Sequence, residues 1–92
     1  MSDLYYFYIA RCRDDSLYCG YCKDLIQREK AHNEGTGSKY TRGRLPLHFV
    51  YHEEFPTRSA AMKREYAVKQ WTRVAKEELL LHSANPRRPV HT

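Results

Sequence analysis

Near the start of the chain, a short polar stretch separates two strand-like segments. Residues 4–10, LYYFYIA, are all aromatic or aliphatic, and residues 17–22, LYCGYC, are again rich in tyrosine and apolar side chains. Between them, residues 13–16 have the sequence RDDS, which is typical of a turn. The sequence therefore predicts a β-hairpin with strands over about residues 4–12 and 17–22.

A helix is predicted directly after the second strand, over residues 25–34, with Asp24 as its N-cap. Leu25, Arg28 and His32 stand at i, i+3 and i+7, so one stripe of this helix presents a guanidinium and an imidazole above an apolar anchor. Arginine can hold phosphate oxygens and histidine can hold or move a proton near neutral pH, as phosphoryl chemistry requires. Such side chains are also common on solvated helices, so the pair alone leaves both interpretations open.

The segment at residues 35–44 combines glycines, hydroxyl groups and cations with one aromatic side chain, and we predict a loop there. Lys39, Arg42 and Arg44 lie in it, residues 35–52 contain no acidic residue, and the whole chain has a formal net charge of +5. Such a loop could wrap a phosphate backbone, with Tyr40 stacking on a base, or it could simply be solvated. The charge favours a polyanionic partner.

The second half of the chain predicts one more strand and two helices. Residues 47–55 alternate in character, which predicts a strand with Leu47, Phe49 and Tyr51 on one face and His48, Val50 and His52 on the other. After Pro56-Thr57 the apolar period becomes helical over about residues 58–71. Thr72 then predicts the N-cap of a last helix that ends near His82.

One acidic side chain in the predicted helix over residues 58–71 lies at the margin of the apolar face. A carboxylate half inside a small core, as Glu65 would be, is costly unless it is paired or coordinates a metal. Arg64 lies more centrally on the same face. An internal ion pair and a metal ligand are therefore both open.

Taken together, these motifs resemble the GIY-YIG nuclease superfamily. The residues that carry the resemblance are Tyr6-Phe7-Tyr8, Tyr18-Cys19-Gly20, Arg28, His32 and Glu65. Further segments look like the small, stand-alone bacterial members: Leu17 to Gly20, Asp24-Leu25, His32-Asn33, Lys39 to Pro46 and Glu53-Glu54-Phe55. The resemblance covers about residues 4–80, nearly the whole chain.

The resemblance implies an α/β fold in which a small three-stranded antiparallel sheet is packed by about three helices. It implies one nuclease domain over residues 1–82. Residues 83–92 form a basic tail with two prolines, which we expect to be disordered. The chain has no apolar run of membrane-spanning length and no leader-like start, so we expect a cytoplasmic protein that binds no membrane.

The resemblance also implies the chemistry, which is that of a metal-dependent endonuclease that hydrolyses DNA. A structure-selective nuclease of repair or recombination is one form that this activity could take. Glu65 would hold a single Mg²⁺ or Mn²⁺ ion, and Arg28 would hold the scissile phosphate. Tyr8 and Tyr18 would flank the attacking water, one of them as general base, and His32 would orient or relay the proton. A tyrosine could act as base if Arg28, the metal and Lys23 favoured its phenolate form.

Nucleic acid is the expected partner, with DNA as the first candidate and RNA left open. Its expected contacts are Lys23, Lys39, Tyr40, Arg42 and Arg44. The first motif lacks the glycine of the family pattern, and a catalytically weak or inactive nucleic-acid-binding module with the same fold is the alternative. A third hypothesis is a dithiol redox protein, because Cys19 and Cys22 have the C-x-x-C spacing.

A shared site for two tyrosines places a demand on the hairpin. A plain two-residue turn at Asp14-Asp15 would pair Tyr8 with Tyr21 and put Tyr18 on the opposite face of the sheet. We therefore predict an irregular or odd-length turn between Arg11 and Leu17. Tyr8, Tyr18, Arg28 and Glu65 should then converge on one cleft, with His32 at its edge.

Overall fold

The computed structural model of the chain describes residues 3–82. Its elements in chain order are β1 (Tyr5–Arg11), β2 (Leu17–Cys22), α1 (Leu25–Asn33), α2 (Lys39–Arg42), β3 (His48–Phe55), α3 (Arg58–Lys69) and α4 (Arg73–Leu81). The strands form one antiparallel sheet in the order β2-β1-β3. The predicted α/β fold with a three-stranded sheet is confirmed, and the tail at residues 83–92 lies outside the described residues.

Four helices pack on this sheet rather than about three, because the predicted loop at residues 35–44 contains the one-turn helix α2. Ser38 begins α2, and its Oγ accepts a hydrogen bond of 2.9 Å from the backbone N–H of Tyr40. The predicted caps at Asp24 and Thr72 are confirmed by hydrogen bonds of 3.0 and 3.1 Å to Gln27 N and Ala75 N. Within residues 3–82, each helix is too short or too polar to cross a bilayer.

The turn between β1 and β2 has an odd length, as predicted. Arg11 pairs with Leu17, so five residues, 12–16, form the turn. Asp15 adopts a φ of 72°, the left-handed conformation that a glycine would otherwise supply. With this register Tyr8 lies opposite Gly20 and two residues from the Ala10–Tyr18 pair, so both tyrosines share one face of the sheet.

The sheet has a core on each face. One cluster, on the α3 and α4 side, contains Phe7, Ile9, Cys19, Val50, Tyr51, Val68 and Leu80. The other, on the α1 side, contains Tyr8, Ala10, Cys12, Cys22, Leu47 and Phe49. Cys19 and Cys22 therefore belong to opposite faces of the sheet, as their odd spacing along a strand requires. The dithiol redox hypothesis is wrong, because its two thiols do not face each other.

The strict alternation predicted for β3 is wrong at its centre. Ile9 pairs with Tyr51 while Ala10 pairs with Phe49, so Val50 is the extra residue of a β-bulge. The bulge moves Phe49 to the α1 side and leaves Tyr51 on the α3 side, although both were predicted on one face. Both faces of β3 are consequently buried at this point.

Side-chain hydrogen bonds fix α1 against the first residues of β3. The Asn33 amide donates to the carbonyl oxygen of Leu47 at 2.9 Å and accepts from the Leu47 N–H at 2.8 Å. One turn earlier, the Glu29 carboxylate accepts from the N–H of Phe49 at 2.9 Å. These bonds satisfy edge-strand backbone groups and set the position of α1, and with it the position of His32.

Two arginines join the other helices to the sheet. Arg64 of α3 binds both carboxylate oxygens of Glu53 on β3, at 2.8 and 2.9 Å. Arg11 of β1 binds both carboxylate oxygens of Glu77 on α4, at 2.8 and 3.0 Å. Bidentate pairs of this kind fix geometry as well as contributing energy. The ion pair that the sequence left open for Arg64 is therefore present, and Glu65 is not part of it.

Candidate active site

A cleft of about 470 Å³ runs beside β2, an edge strand of the sheet. Because α1 packs on one face of the sheet and α3 on the other, side chains from both helices reach the cleft around this edge. Arg28 arrives from α1 and Glu65 from α3. The residues that line the cleft are Tyr5, Tyr8, Tyr18, Gly20, Tyr21, Cys22, Lys23, Arg28, Arg58 and Glu65.

Tyr8 reaches the cleft from the central strand by passing over Gly20. The two residues are paired across β1 and β2, and a Cβ on Gly20 would lie 2.6 Å from Cζ of Tyr8. Only a residue without a side chain leaves room for the ring. The Tyr8 ring also stacks on Phe49, with centroids 4.0 Å apart, which fixes its direction.

Replacing Gly20 with alanine should therefore displace the Tyr8 hydroxyl. We expect the Gly20→Ala variant to lose about 1–3 kcal/mol of stability through overpacking. If Tyr8 takes part in cleavage, a shift of about 1 Å should reduce cleavage by about a hundredfold. Gly43→Ala is the matched control, since a Cβ there meets no atom within 4 Å. Chemical unfolding and nuclease rates of the two variants check this prediction. Equal stability and equal cleavage rates for Gly20→Ala and Gly43→Ala would contradict it.

The structure corrects the predicted position of His32. His32 does not stand at the edge of the cleft but is buried behind Tyr8, with 2 % of its surface exposed. Its Nε2 lies 3.0 Å from the Tyr8 Oη, and its Nδ1 lies 3.1 Å from the Thr41 Oγ1. Gly37 packs against the ring, since a Cβ there would lie 2.7 Å from Cγ of His32. His32 thus reaches the cleft through its hydrogen bond to Tyr8, and its ring also contacts Tyr18, with centroids 5.4 Å apart.

Burial decides the protonation of this pair. Burial, with a further contribution from the charge of Arg28, lowers the pKa of His32 below its ordinary value, so the ring is neutral near pH 7. Burial, reinforced by Tyr18 and only partly opposed by Arg28, raises the pKa of Tyr8 well above its ordinary value. A standing phenolate at Tyr8 is therefore disfavoured in the protein without metal, contrary to the simplest form of the tyrosine-base hypothesis.

Among the described residues that line the cleft, Glu65 is the one carboxylate. Its side chain is 18 % exposed, and its Oε2 forms an ion pair of 3.1 Å with Lys69 one turn later on α3. Residues 3–82 contain no group of three or more histidine, cysteine or acidic side chains that could hold a metal ion together. A cation bound here would take one ligand from the protein and the others from water or substrate.

Three cations accompany this carboxylate in the cleft: Lys23, Arg28 and Arg58. The Lys23 ammonium lies 5.2 Å above the Tyr5 ring and the Arg58 guanidinium 6.0 Å from it, so Tyr5 helps to hold both charges beside the cleft. The excess of positive charge suits a phosphate group. Arg58 and Tyr5 were not predicted as site residues, because the sequence pattern placed Arg58 only in a helix and Tyr5 only in a strand.

The helix α2 lies at the Tyr18 end of the cleft. The Tyr40 ring is stacked on Tyr18, with centroids 5.8 Å apart, and the Arg44 guanidinium lies 4.0 Å from its centroid. Arg44 also forms an ion pair of 3.0 Å with Asp14 in the hairpin turn. Tyr40 and Arg44 thus hold α2 against the hairpin, while Tyr40 itself stays 42 % exposed.

The remaining two cations of this segment face solvent. Lys39 and Arg42 are exposed, and in the part of the chain that the structure describes their side chains form no ion pair with an acidic residue.

Four of the five predicted catalytic residues, Tyr8, Tyr18, Arg28 and Glu65, share one cleft, and His32 lies directly behind it. Thr41 was not predicted, and a buried hydroxyl between two loop cations gave no signal that would single it out.

Comparison with known proteins finds relatives that match most of the chain. Among curated relatives, the UPF0213 protein HQ_3675A of Haloquadratum walsbyi is 51% identical over 79 residues, which is 86% of this chain and 89% of that protein. A UPF0213 protein of Staphylococcus aureus (strain Mu3) is 49% identical over 78 residues, 85% of this chain and 95% of that protein.

Solved structures and a family model also match most of the chain. The solution NMR structure of the UPF0213 protein BH0048 from Bacillus halodurans is 43% identical, has a TM-score of 0.58, and covers 90% of this chain and 88% of that chain. The model of the GIY-YIG catalytic domain matches residues 4–78, which include all five predicted catalytic residues and span most of the 92 residues. This chain therefore belongs to the GIY-YIG catalytic domain family.

Proposed function

We propose that this protein is a divalent-metal-dependent endonuclease that hydrolyses phosphodiester bonds of DNA in the cleft beside β2. The observation that carries the proposal is the convergence of Arg28, Glu65 and the hydrogen-bonded pair of Tyr8 and His32 at one place. These groups come from both faces of the sheet and are far apart in sequence. Together they supply an anion clamp, a carboxylate ligand and a route for a proton.

The proton route begins at Tyr8. Its hydroxyl takes a proton from the attacking water while its own proton passes to Nε2 of His32, 3.0 Å away. Nε2 of His32 can accept it because the ring is neutral, and Tyr8 then never needs to exist as a free phenolate. Burial and the charge of Arg28 lower the pKa of His32, so the imidazolium would form only transiently, as the hydroxide attacks. Tyr18, whose ring centroid lies 6.4 Å from that of Tyr8, forms the adjacent wall and would hold the water in place.

Arg28 is the residue that would hold the scissile phosphate. It reaches the cleft from α1 and lies close enough to Tyr8 and His32 for its charge to affect the pKa of both. A guanidinium can bind two phosphate oxygens at once and stabilise the negative charge that develops on them.

The residues present fit a single Mg²⁺ or Mn²⁺ ion. Mg²⁺ commonly binds through one or two carboxylates, with substrate phosphates and water as its other ligands, and Glu65 offers one carboxylate at the wall of the cleft. Such an ion would stabilise charge on the phosphate and on the leaving oxygen. Lys69 would have to give up its ion pair with Glu65, or share that carboxylate, when the cation binds.

The exposed cations of α2 should contribute to binding along the backbone. We expect Lys39→Gln combined with Arg42→Gln to weaken binding to all DNA sequences and to reduce the salt slope by about two, one for each phosphate that is no longer neutralised. Arg44→Gln should reduce the slope less, because Arg44 already pairs with Asp14. Binding titrations across salt concentrations check this prediction. An unchanged slope in the double variant would show that α2 does not contact the phosphate backbone of DNA.

A panel of nucleic acids tests the proposed function. The purified protein is incubated with single-stranded, duplex and branched DNA and with RNA, each with Mg²⁺, with Mn²⁺ and with a chelator. We expect cleavage of at least one DNA with metal and none with chelator. Binding without cleavage of any substrate would favour the alternative, a binding module that keeps the fold and the basic surface of α2.

A further inference from the structure

The transfer of a proton from Tyr8 to His32 needs an unprotonated Nε2. A neutral imidazole carries one proton, on either nitrogen, and the hydrogen bond at the other nitrogen decides which. In this protein the other nitrogen, Nδ1, lies 3.1 Å from the hydroxyl of Thr41. A hydroxyl can donate or accept, so the direction of its own hydrogen bonds must be established.

The Thr41 hydroxyl has a second partner that removes this ambiguity. Its Oγ1 lies 3.0 Å from the backbone carbonyl oxygen of Ser38, which can only accept, so the hydroxyl proton points to Ser38. Thr41 must then accept from His32, and Nδ1 of His32 carries the ring proton. Nε2 is left as an acceptor, and the Tyr8 hydroxyl donates to it.

We propose that Thr41 is a positioning residue that fixes the tautomer of His32 and so sets the direction of proton transfer through Tyr8. This inference rests on the proposed function. Thr41 is fully buried, and its placement one turn after Ser38 within the capped turn of α2 makes the Ser38 carbonyl available to it. The hydrogen bonds run in one direction, from Tyr8 through His32 and Thr41 to the Ser38 carbonyl.

The proton count of the transfer balances. One O–H bond of water breaks as an O–H bond forms at Tyr8, and the original O–H bond of Tyr8 breaks as an N–H bond forms at Nε2 of His32. The products are a hydroxide and an imidazolium with protons on both nitrogens. The hydroxide forms a bond to phosphorus as the bond from phosphorus to the leaving oxygen breaks, and the leaving oxygen takes its proton from solvent. The positive imidazolium keeps its bond to the Thr41 oxygen, which is oriented to accept from it.

The first test is the tautomer in the wild-type protein. Long-range ¹H–¹⁵N NMR spectra of the histidine-labelled protein distinguish a protonated from an unprotonated ring nitrogen, and the His32→Gln variant identifies the signals of His32. We expect a proton on Nδ1 and none on Nε2. A wild-type ring protonated at Nε2 would overturn the inference without reference to any enzymatic activity.

The second test compares two replacements of Thr41. Thr41→Val keeps the shape but removes the acceptor, so His32 should shift toward the Nε2-protonated tautomer and kcat should fall by about ten- to a hundredfold with KM unchanged. Thr41→Ser should restore both the tautomer and kcat. Thr36→Val is the control, since it removes an exposed hydroxyl that donates a hydrogen bond to the carbonyl of Ala31.

The outcomes separate this inference from the proposed function. A Thr41→Val protein with the wild-type tautomer and kcat would overturn the role of Thr41 and leave the nuclease proposal standing. A wild-type protein that cleaves no nucleic acid would overturn the nuclease proposal, and the NMR spectra alone would still confirm or overturn the tautomer. NMR dispersion of each variant shows whether it is folded.

Discussion

The Glu65→Gln variant is expected to lose at least about a hundredfold of the metal-dependent cleavage rate, because a bound divalent cation contributes several kcal/mol of charge stabilisation. An amide keeps the shape of the carboxylate but loses the charge that attracts the cation. The cations of the cleft are unchanged, so affinity for DNA in the presence of chelator should stay nearly intact. Initial rates with Mg²⁺ and equilibrium binding with chelator measure the two effects separately.

Glu54→Gln provides the control for this substitution. Glu54 is an exposed carboxylate on β3, outside the residues that line the cleft, so its loss changes the net charge equally without touching the site. Cleavage by the Glu65→Gln protein at the wild-type rate would refute the assignment of Glu65 as metal ligand.

The Tyr8→Phe variant should show a comparable loss of cleavage, by about a hundred- to ten-thousandfold, the usual contribution of a general base. The ring would still stack on Phe49, so the fold of the cleft is retained. His32 would lose a hydrogen bond at Nε2, which should cost about 1–3 kcal/mol of stability. Cleavage rates at saturating DNA measure the loss of activity, and chemical unfolding measures the loss of stability.

Tyr6→Phe is a close control for Tyr8→Phe. Tyr6 lies two residues earlier on the same strand, packs in the same cluster and does not line the cleft. Its variant should cleave DNA at the wild-type rate. A Tyr8→Phe protein that cleaves as fast as the Tyr6→Phe protein would show that the hydroxyl of Tyr8 takes no proton in the reaction.

Much of the fold follows from local sequence signals. The strand-like tyrosine pattern, the caps Asp24 and Thr72 and the helical period after Thr57 place most elements within one or two residues of their observed ends. The odd-length turn was predicted from a requirement of the site rather than from the turn residues. No glycine marks it, because Asp15 takes the left-handed conformation itself.

The β-bulge at Val50 could not be predicted, because alternation along one strand contains no information about an extra residue opposite its partner strand. The short helix α2 was missed for a related reason. Four residues are too few to show a helical period, and the Ser38 cap resembles any hydroxyl in a glycine-rich loop.

The candidate site was likewise predictable only in part from the sequence. Motif positions named Tyr8, Tyr18, Arg28, His32 and Glu65, and four of these line one cleft. The burial of His32 depends on Gly37 and Thr41, which pack against it only after the chain has folded back from α1 into α2. Likewise, only the tertiary structure shows that Arg44 is engaged by Asp14, 30 residues earlier in the chain.

The central claim is that water, activated in the cleft beside β2, attacks the phosphodiester bond. Cleavage in ¹⁸O-labelled water, under single-turnover conditions and with Mg²⁺, tests this claim most directly when the products are weighed by mass spectrometry. The account predicts one ¹⁸O atom in the terminal phosphate that each cut produces. Terminal phosphates without ¹⁸O, or a DNA strand left covalently attached to a tyrosine, would contradict it, since the nucleophile would then not be water.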